Sequence, residues 1–372
     1  MTSTAESLLS DIQRIAPDIA ARATEIETGR DIPTDLVETL RSVGVFRLLV
    51  PRSHGGLELE LPVAAEVIAA LAKIEGSVGW IAMIAGVTQL LAALLPRKTY
   101  DQIYRNGPDV ISAGSNQPAG TAEATSGGWR VGGRWPFASG SRHANWIIGY
   151  CVMMKDGAPL AGPVAGASLM QGFFMPAHHW QIEDTWYVAG LKGTGSHHVV
   201  LKDTVVPDAN FFDLMGGVSC LPGPLYQAPL QTLPLLHGPF GVGVADGALD
   251  ELVAHARTGR QQFRAAAPMR DTEGFQYELG RTESELRAAR AFLDVQVASH
   301  WHRALAGTLK DEAVFTQVTQ DAIWLAHAAF ESSMHALPSA AAARSMRPRR
   351  CSDDSVIFML PANTPQYSND TM

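Results

Sequence analysis

From Gly76 to Pro96 the chain reads GSVGWIAMIAGVTQLLAALLP, 21 residues without a single charge. A segment of that length must be hidden from water, either in a bilayer or inside a protein. Three glycines, a serine, a threonine and a glutamine interrupt it. It is therefore expected to be a helix buried on most faces and packed between other elements, not a membrane span. Charged residues make up 18% of the 372, which excludes wholesale disorder. A net charge of −8 argues against a nucleic-acid or anionic-membrane partner. Cys151, Cys220 and Cys351 lie far apart with no CxxC pair, so neither a disulfide framework nor a zinc knuckle is indicated. The N-terminus carries acidic residues early and reads as an amphipathic helix, which together with these features predicts a cytoplasmic enzyme.

The texture changes twice along the chain. Residues 1–108 are helical in pattern: Leu36, Leu40 and Val43 share one face, and Val63, Val67, Leu71 and Ile74 share another. Pro33 and Pro62 sit near helix starts, where a missing N–H costs little. Residues 109–215 break into short apolar runs divided by glycines, such as DVISAG, NWIIGYCVMM and HHVVLKDTVVP, which predicts a central β-barrel or sandwich. Residues 216–337 open on a Pro-, Leu- and Gly-rich linker to 236. Helices return from His237, with stripes at Leu286, Leu293, Val297 and Trp301 and at Phe315, Val318, Ala322, Leu325 and Ala329. Residues 338–372 show no period and have the composition of a disordered tail. The expected class is α+β multidomain, in the order helical domain, β domain, helical bundle.

Several local runs share one likeness. IPTDLVETLRSVGVFRLLVPRSHGGLEL and EVIAALAKIEGSVGW, ending at Trp80, resemble the N-terminal domain of the acyl-CoA dehydrogenase superfamily. GRWPFASGSRHANW (133–146) resembles the segment lying along the flavin there, and GLKGTGSHHVVLKDTVVP (190–207) the strand pair completing the β domain. WPFASG and GTGS are typical of the two-component flavin-dependent monooxygenase branch; a dehydrogenase more usually shows TNG where this chain has Ala138-Ser139-Gly140. The resemblance covers residues 10 to about 335 and implies a monooxygenase component that takes reduced flavin (FMN or FAD) from a separate flavin reductase. With O2 it would hydroxylate a small aromatic or polyketide-like substrate, and a homotetramer is expected.

The resemblance also assigns residues. Ser139 would be catalytic, donating near flavin N5, with Phe137 beside it and Gly140 allowing close backbone approach; the same residues also make an ordinary Ser-Gly turn. Asn116, Gln117, Gly120 and Thr121, in SAGSNQPAGTA (112–122), would contact the isoalloxazine edge, although a plain polar turn fits each of them. Trp186 matches a position that packs on the flavin, and a core Trp explains it nearly as well. GRQQF (259–263) would bring Arg260 to a neighbouring subunit's flavin phosphates with Phe263 packed beside it, unless it is a solvated Arg-rich face. Trp80 and Thr88 would face the substrate. Thr88 stands where many relatives carry a histidine, so either a hydroxyl suffices or a group such as His143 replaces it as a catalytic residue; His143 also fits a strand-end histidine. His178-His179 and His197-His198 would alternate across strands, so no metal site is expected. GVGVADG (241–247) lacks the GxGxxG spacing and would sit at a helix start, against a dinucleotide fold. Two rival readings remain open: an FAD-dependent acyl-CoA dehydrogenase, which needs a carboxylate to take an α-proton, and an inactive truncated remnant.

The tail departs from the family. Relatives close their bundle with a glycine-rich turn and an SPLQR…RD…H stretch, and residues 338–372 contain neither. Taking each third base with the next two, the codons from Ser339 to Thr364 permit GGGGAVYETSPLQRRLRDIHVASQH. That is the missing motif in register, with Thr where medium-chain-type dehydrogenases carry their catalytic Glu. A frameshift near 334–339, with loss of the last bundle helix, is the expectation, and a divergent natural tail is the alternative. DNA sequencing decides between them, because codons that cannot yield this shifted product sink the frameshift.

Overall fold

A computed structural model describes residues 4–259 and 267–309, with positions 313, 316, 317 and 320 beyond them. Six helices come first: α1 (Thr4–Ala21), α2 (Ala23–Gly29), α3 (Thr34–Val43), α4 (Leu61–Ile74), α5 (Gly76–Ala92) and α6 (Arg97–Ile103). Nine strands follow: β1 (Ser112–Gly114), β2 (Gly120–Thr125), β3 (Gly128–Ala138), β4 (Trp146–Lys155), β5 (Ala158–Pro159), β6 (Met170–Pro176), β7 (Gln181–Glu183), β8 (His197–Val206) and β9 (Phe211–Phe212). Two long helices end the described part, α7 (Pro229–Arg257) and α8 (Glu273–Ala306). The order helical, β, helical is as expected from the sequence.

The uncharged run becomes α5, and it is buried along nearly all its length. Its neighbours come very close. A Cβ on Gly79 would lie 2.4 Å from Ala72 Cα on α4, and one on Gly243 of α7 would lie 2.3 Å from Ala69 O on the same helix. Backbone contact of this kind needs hydrogen at both positions. The few polar groups of α5 are answered internally. Glu75 caps its start by accepting from Val78 N at 2.8 Å. Gln89, 2% exposed, accepts from Leu49 N and donates to Phe46 O, both at 2.8 Å, so it stitches the 46–49 turn to the helix.

The β region is an open sheet in the order β7-β8-β3-β2-β4-β6-β9, with β1 and β5 pairing β4 from outside this path. The expected closed barrel is thus corrected: among the described residues the two end strands do not pair. Strand β3 carries two register shifts against β8, between Val131 and Gly133 and between Trp135 and Ala138. Bulges of this type bend and twist a strand, and the bend wraps the sheet around its own core of Trp135, Phe173, Trp180, Val199 and Leu201.

Three local expectations change. Helix α7 begins at Pro229, eight residues before His237, and holds Pro234 and Pro239 inside it; prolines taken as linker markers lie in a helix whose Leu233, Leu235 and Leu236 are buried. GVGVADG therefore falls mid-helix. His178 and His179 lie on a helical turn, Ala177–His179, and not on a strand, their rings 4.2 Å apart. The stripe from Phe315 to Ala329, the tail 338–372 and the expected loss of the last helix lie outside the described residues.

His300 of α8 is 2% exposed. Thr232 Oγ1 donates to Ala228 O at 3.1 Å and so accepts from His300 Nε2, also at 3.1 Å. Nδ1 has no hydrogen-bond partner among the described residues, and burial lowers the imidazole's pKa to about 4. A pKa depressed by folding favours the neutral form, so stability is complete above the unfolded value near 6.5 and is lost as pH falls toward 4. Unfolding free energy should fall by roughly 3 kcal/mol across that window, and His300→Gln should flatten the dependence in pH-resolved urea titrations. Gln89→Leu should cost about 2–4 kcal/mol in the same assay, since it leaves the Leu49 N–H and the Phe46 carbonyl buried and unpaired.

Candidate active site

The candidate site forms where α5, the end of β3 and the 184–196 segment meet. Trp80 projects from α5, half-buried, and its indole Nε1–H donates to Ser139 Oγ at 2.8 Å. Ser139 Oγ lies 2.7 Å from Ser196 Oγ, which lies 2.7 Å from Thr194 Oγ1. Thr194 Oγ1 donates to Leu191 O at 2.9 Å. Ser139, Thr194 and Ser196 are all buried, and Gly140 N donates to Thr194 O at 2.8 Å, pinning the two turns together. Gly140 has φ +73°, and a Cβ there would meet Ile81 Cδ1 at 2.9 Å, so the turn requires glycine on both counts.

One wall of the site is aromatic. Phe137 has φ +63° and is 43% exposed, a conformation that costs a bulky residue of order 1 kcal/mol and is imposed by the adjacent bulge of β3. Its ring meets Trp186 edge-on at 6.1 Å. Trp186 is held from two sides. Its Nε1–H donates to Leu191 O at 3.1 Å, and its backbone N–H donates to His197 Nδ1 at 3.3 Å, beside Thr185 N at 3.2 Å. Because Nδ1 of His197 accepts from both amides, the ring is neutral, and its 3.4 Å approach to Asp184 is not an ion pair; burial lowers its pKa in the same sense.

On its other side Trp80 packs against Phe240 and His237 of α7, with ring centroids 5.0 and 6.0 Å away. His237 Nδ1 donates to Leu233 O at 2.8 Å, which leaves Nε2 with its lone pair free to accept. Burial holds this imidazole below its ordinary value and so neutral. The sequence did not single out His237, which marked only the point where helices resume; its i, i−4 carbonyl emerges once α7 is seen to start at Pro229.

Other expected residues are placed differently. Thr88 is buried and donates to Ala85 O of its own helix at 2.9 Å, so its proton is committed. His143 Nε2 is 2.9 Å from Asp31, within an ion network that ties the α2–α3 turn to the β domain. There Arg30 grips Asp184 at 2.7 and 2.9 Å and holds that carboxyl well below the usual carboxylate range. Arg30 also donates to Trp186 O at 3.0 Å and lies over the Tyr187 ring. Gly120 is buried because Trp135 fills the space a Cβ would need, 2.1 Å away. Asn116 is exposed and Gln117 half-buried on the turn between β1 and β2, and Thr121 is exposed on β2; β1 itself packs against α5. Arg260 and Phe263 lie outside the described residues.

A buried α5 beside a bent sheet, with helices before and after, is the architecture that this chain shares with known proteins. Residues 2–97 match the family described as acyl-CoA dehydrogenase, N-terminal domain, and residues 235–348 the C-terminal domain of the same family. The chain belongs to the acyl-CoA dehydrogenase superfamily, in its flavin-dependent monooxygenase branch. It is 35% identical over 288 residues to indole-3-acetate monooxygenase of Pseudomonas putida, covering 77% of this chain and 71% of the relative. To the flavin-dependent monooxygenase oxygenase subunit HsaA of Mycobacterium tuberculosis it is 32% identical over 319 residues, covering 83% and 75%. Among solved structures, 3-HSA hydroxylase from Rhodococcus sp. RHA1 superposes with a TM-score of 0.82 at 28% identity, covering 91% of this chain and 87% of that one. XiaF from Streptomyces, in complex with FADH2 and glycerol, shares the fold at a TM-score of 0.81 and 24% identity, covering 95% and 88%.

Arg30 holds the 184–187 segment by charge-assisted bonds from another domain. Arg30→Ala should raise the rate of limited proteolysis within residues 184–191 by roughly tenfold, with cleavage elsewhere unchanged.

Proposed function

We propose that this chain is the oxygenase component of a two-component system that takes reduced flavin from a separate reductase and, with O2, hydroxylates a small aromatic substrate. The observation that carries this reading is the cradle itself: two aromatic rings, Phe137 and Trp186, beside a buried hydroxyl, Ser139, that a fixed indole already holds. These residues fit a flavin, since the exposed Phe137 face offers stacking area for a planar ring system and Ser139 keeps hydrogen-bonding capacity on its oxygen. Bound reduced flavin would supply the two electrons that activate O2. Gly140 and Ser139 would lie at the ring, with Asn116, Gln117 and Thr121 along its edge, whereas Gly120 is taken up by packing against Trp135; Arg260 would reach a neighbouring subunit's flavin phosphates, with Phe263 packed beside it, in a homotetramer. Relatives named for indole-3-acetate and resorcinol support an aromatic substrate. The isoalloxazine ring is common to FMN and FAD, so the reading covers both. Free Cys151 and Cys220 suit a reducing, cytoplasmic compartment.

Trp80, Phe240 and His237 would form the substrate side. An aromatic ring packs edge-on against Trp80 and Phe240, and His237 Nε2, kept neutral with Nδ1–H tied to Leu233 O, would accept a phenolic or ring proton during hydroxylation. In this arrangement His237 takes the part for which His143 was expected, while His143 positions the domains through Asp31.

The test mixes the anaerobic protein with photoreduced FMN or FAD, then adds oxygen and a panel of phenols and indoles. A hydroxylated product, preceded by an oxygen-dependent absorbance transient slower to decay than in free flavin, is the expected result. A protein that purifies yellow and is bleached by an acyl-CoA would make it a dehydrogenase, and a chain that binds no flavin would be a remnant. Comparing it with the frame-restored chain separates a lost tail from a lost site. His237→Gln should lower kcat by roughly 10²-fold or more. Because the neutral imidazole is the active form and its pKa is lowered, kcat in the unsubstituted enzyme should hold through pH 7 and fall only on the acid side of the ordinary histidine range, and the variant should lose that acid limb.

A further inference from the structure

The hydroxyl chain beside Trp80 has only one self-consistent set of proton directions. An indole nitrogen has a proton and no lone pair to offer, so Ser139 Oγ accepts from Trp80. A carbonyl oxygen has lone pairs and no proton, so Thr194 Oγ1 gives its single proton to Leu191 O. Thr194 can then only accept from Ser196, and Ser196, its proton used, can only accept from Ser139. The chain therefore runs Trp80 to Ser139 to Ser196 to Thr194 to Leu191 O. Ser139 Oγ is left with one lone pair and no proton for a ligand, opposite to the donor role expected from sequence.

We infer that Ser196 and Thr194 are positioning residues that hold Ser139 as a hydrogen-bond acceptor, and that this polarity makes the site select flavin in its reduced state. The inference rests on the reading above that the flavin ring lies at Ser139. Reduced flavin carries a hydrogen on N5 and can donate to that lone pair. Oxidised flavin presents a lone pair at N5, so two acceptors would face each other. To donate to it, Ser139 would have to reverse the whole chain, and Thr194 would give up its bond to Leu191 O. All three hydroxyls are buried, so water does not readily replace the lost partner. Neither Ser196 nor Thr194 need touch the cofactor for this to hold. Their contribution is the direction of one proton on Ser139.

The experiment measures dissociation constants of FMN and FAD, each oxidised and dithionite-reduced, under anaerobic conditions. The unsubstituted protein should bind the reduced form more tightly. Ser196→Ala leaves the Ser139 proton free to turn toward N5, and Thr194→Val removes the acceptor for the Ser196 proton. Each should cut the oxidised-to-reduced ratio of constants roughly tenfold, by weakening the reduced form and strengthening the oxidised one. Thr194→Ser, which keeps the hydroxyl, should retain the ratio. The same tenfold change lowers the midpoint potential of bound flavin by about 30 mV, an independent readout that a general loosening of the fold does not produce. A ratio unchanged in both Ser196→Ala and Thr194→Val overturns the inference. Should those variants not fold, flavin labelled with 15N at N5 and bound reduced to the unsubstituted protein decides: an N5–H shifted downfield from free flavin supports it, and an unshifted one overturns it. Failure of the unsubstituted protein to bind either form overturns instead the underlying assignment of a flavin site.

Discussion

Helix α5 has no charge on it and almost no surface, so its neighbours must come close enough to cover it and must answer each polar group it brings. Glycine and alanine make that possible. Ala72 of α4 lies against Gly79, and Ala69 of the same helix lies against Gly243 of α7, so α4 touches both the next helix and one more than 150 residues away through backbone. Van der Waals contact at that range is rigid and admits no sliding. Trp80 sits one residue after Gly79, and its indole is delivered to Ser139 from this fixed platform. Phe240 and His237, which flank Trp80, come from the same stretch of α7 that carries Gly243. A contact that looks purely structural thus sets the distance between the helical layers and the edge of the sheet.

Much of the architecture was legible in the residues. The change from helical period to short runs and back marks the three regions, because burial on one face of a helix and on alternate residues of a strand leaves different footprints. Pro33 and Pro62 do stand at the starts of α3 and α4. The WPFASG and GTGS motifs led to the two turns that meet at Ser139, Thr194 and Ser196, since glycine and small hydroxyl residues at a strand end are the local signature of a tight, polar turn.

What was not legible has identifiable causes. Closure of a sheet depends on pairing between its end strands, and β7 and β9 are three and two residues long, too short to show a pattern. The linker expected up to 236 concealed the first eight residues of α7 because Pro229 and Pro234 signal a break unless tertiary packing overrides it, as the burial of Leu233, Leu235 and Leu236 does. His237 was hidden with it, and its tautomer depends on a carbonyl one turn earlier. His143 drew attention through its motif, yet its partner Asp31 lies 112 residues away, a pairing that only the fold creates. Gly120 illustrates the same limit: a glycine in a polar loop suggests ligand contact, whereas here the ring of Trp135 occupies the space.

The carbonyl of Leu191 receives a proton from Thr194 and another from the indole of Trp186, and the two arrive from functionally different directions. One is the far end of a line of hydroxyls; the other is the anchor of an aromatic wall. A single oxygen therefore serves as both an electrical terminus and a mechanical hinge. Any excursion of the 184–191 segment that opens the wall also withdraws the acceptor on which the hydroxyl line depends. The aperture of the site and the sign of the Ser139 dipole are in this way not independent variables, and a loop that looks like an outer flap is wired to a buried hydroxyl beneath it.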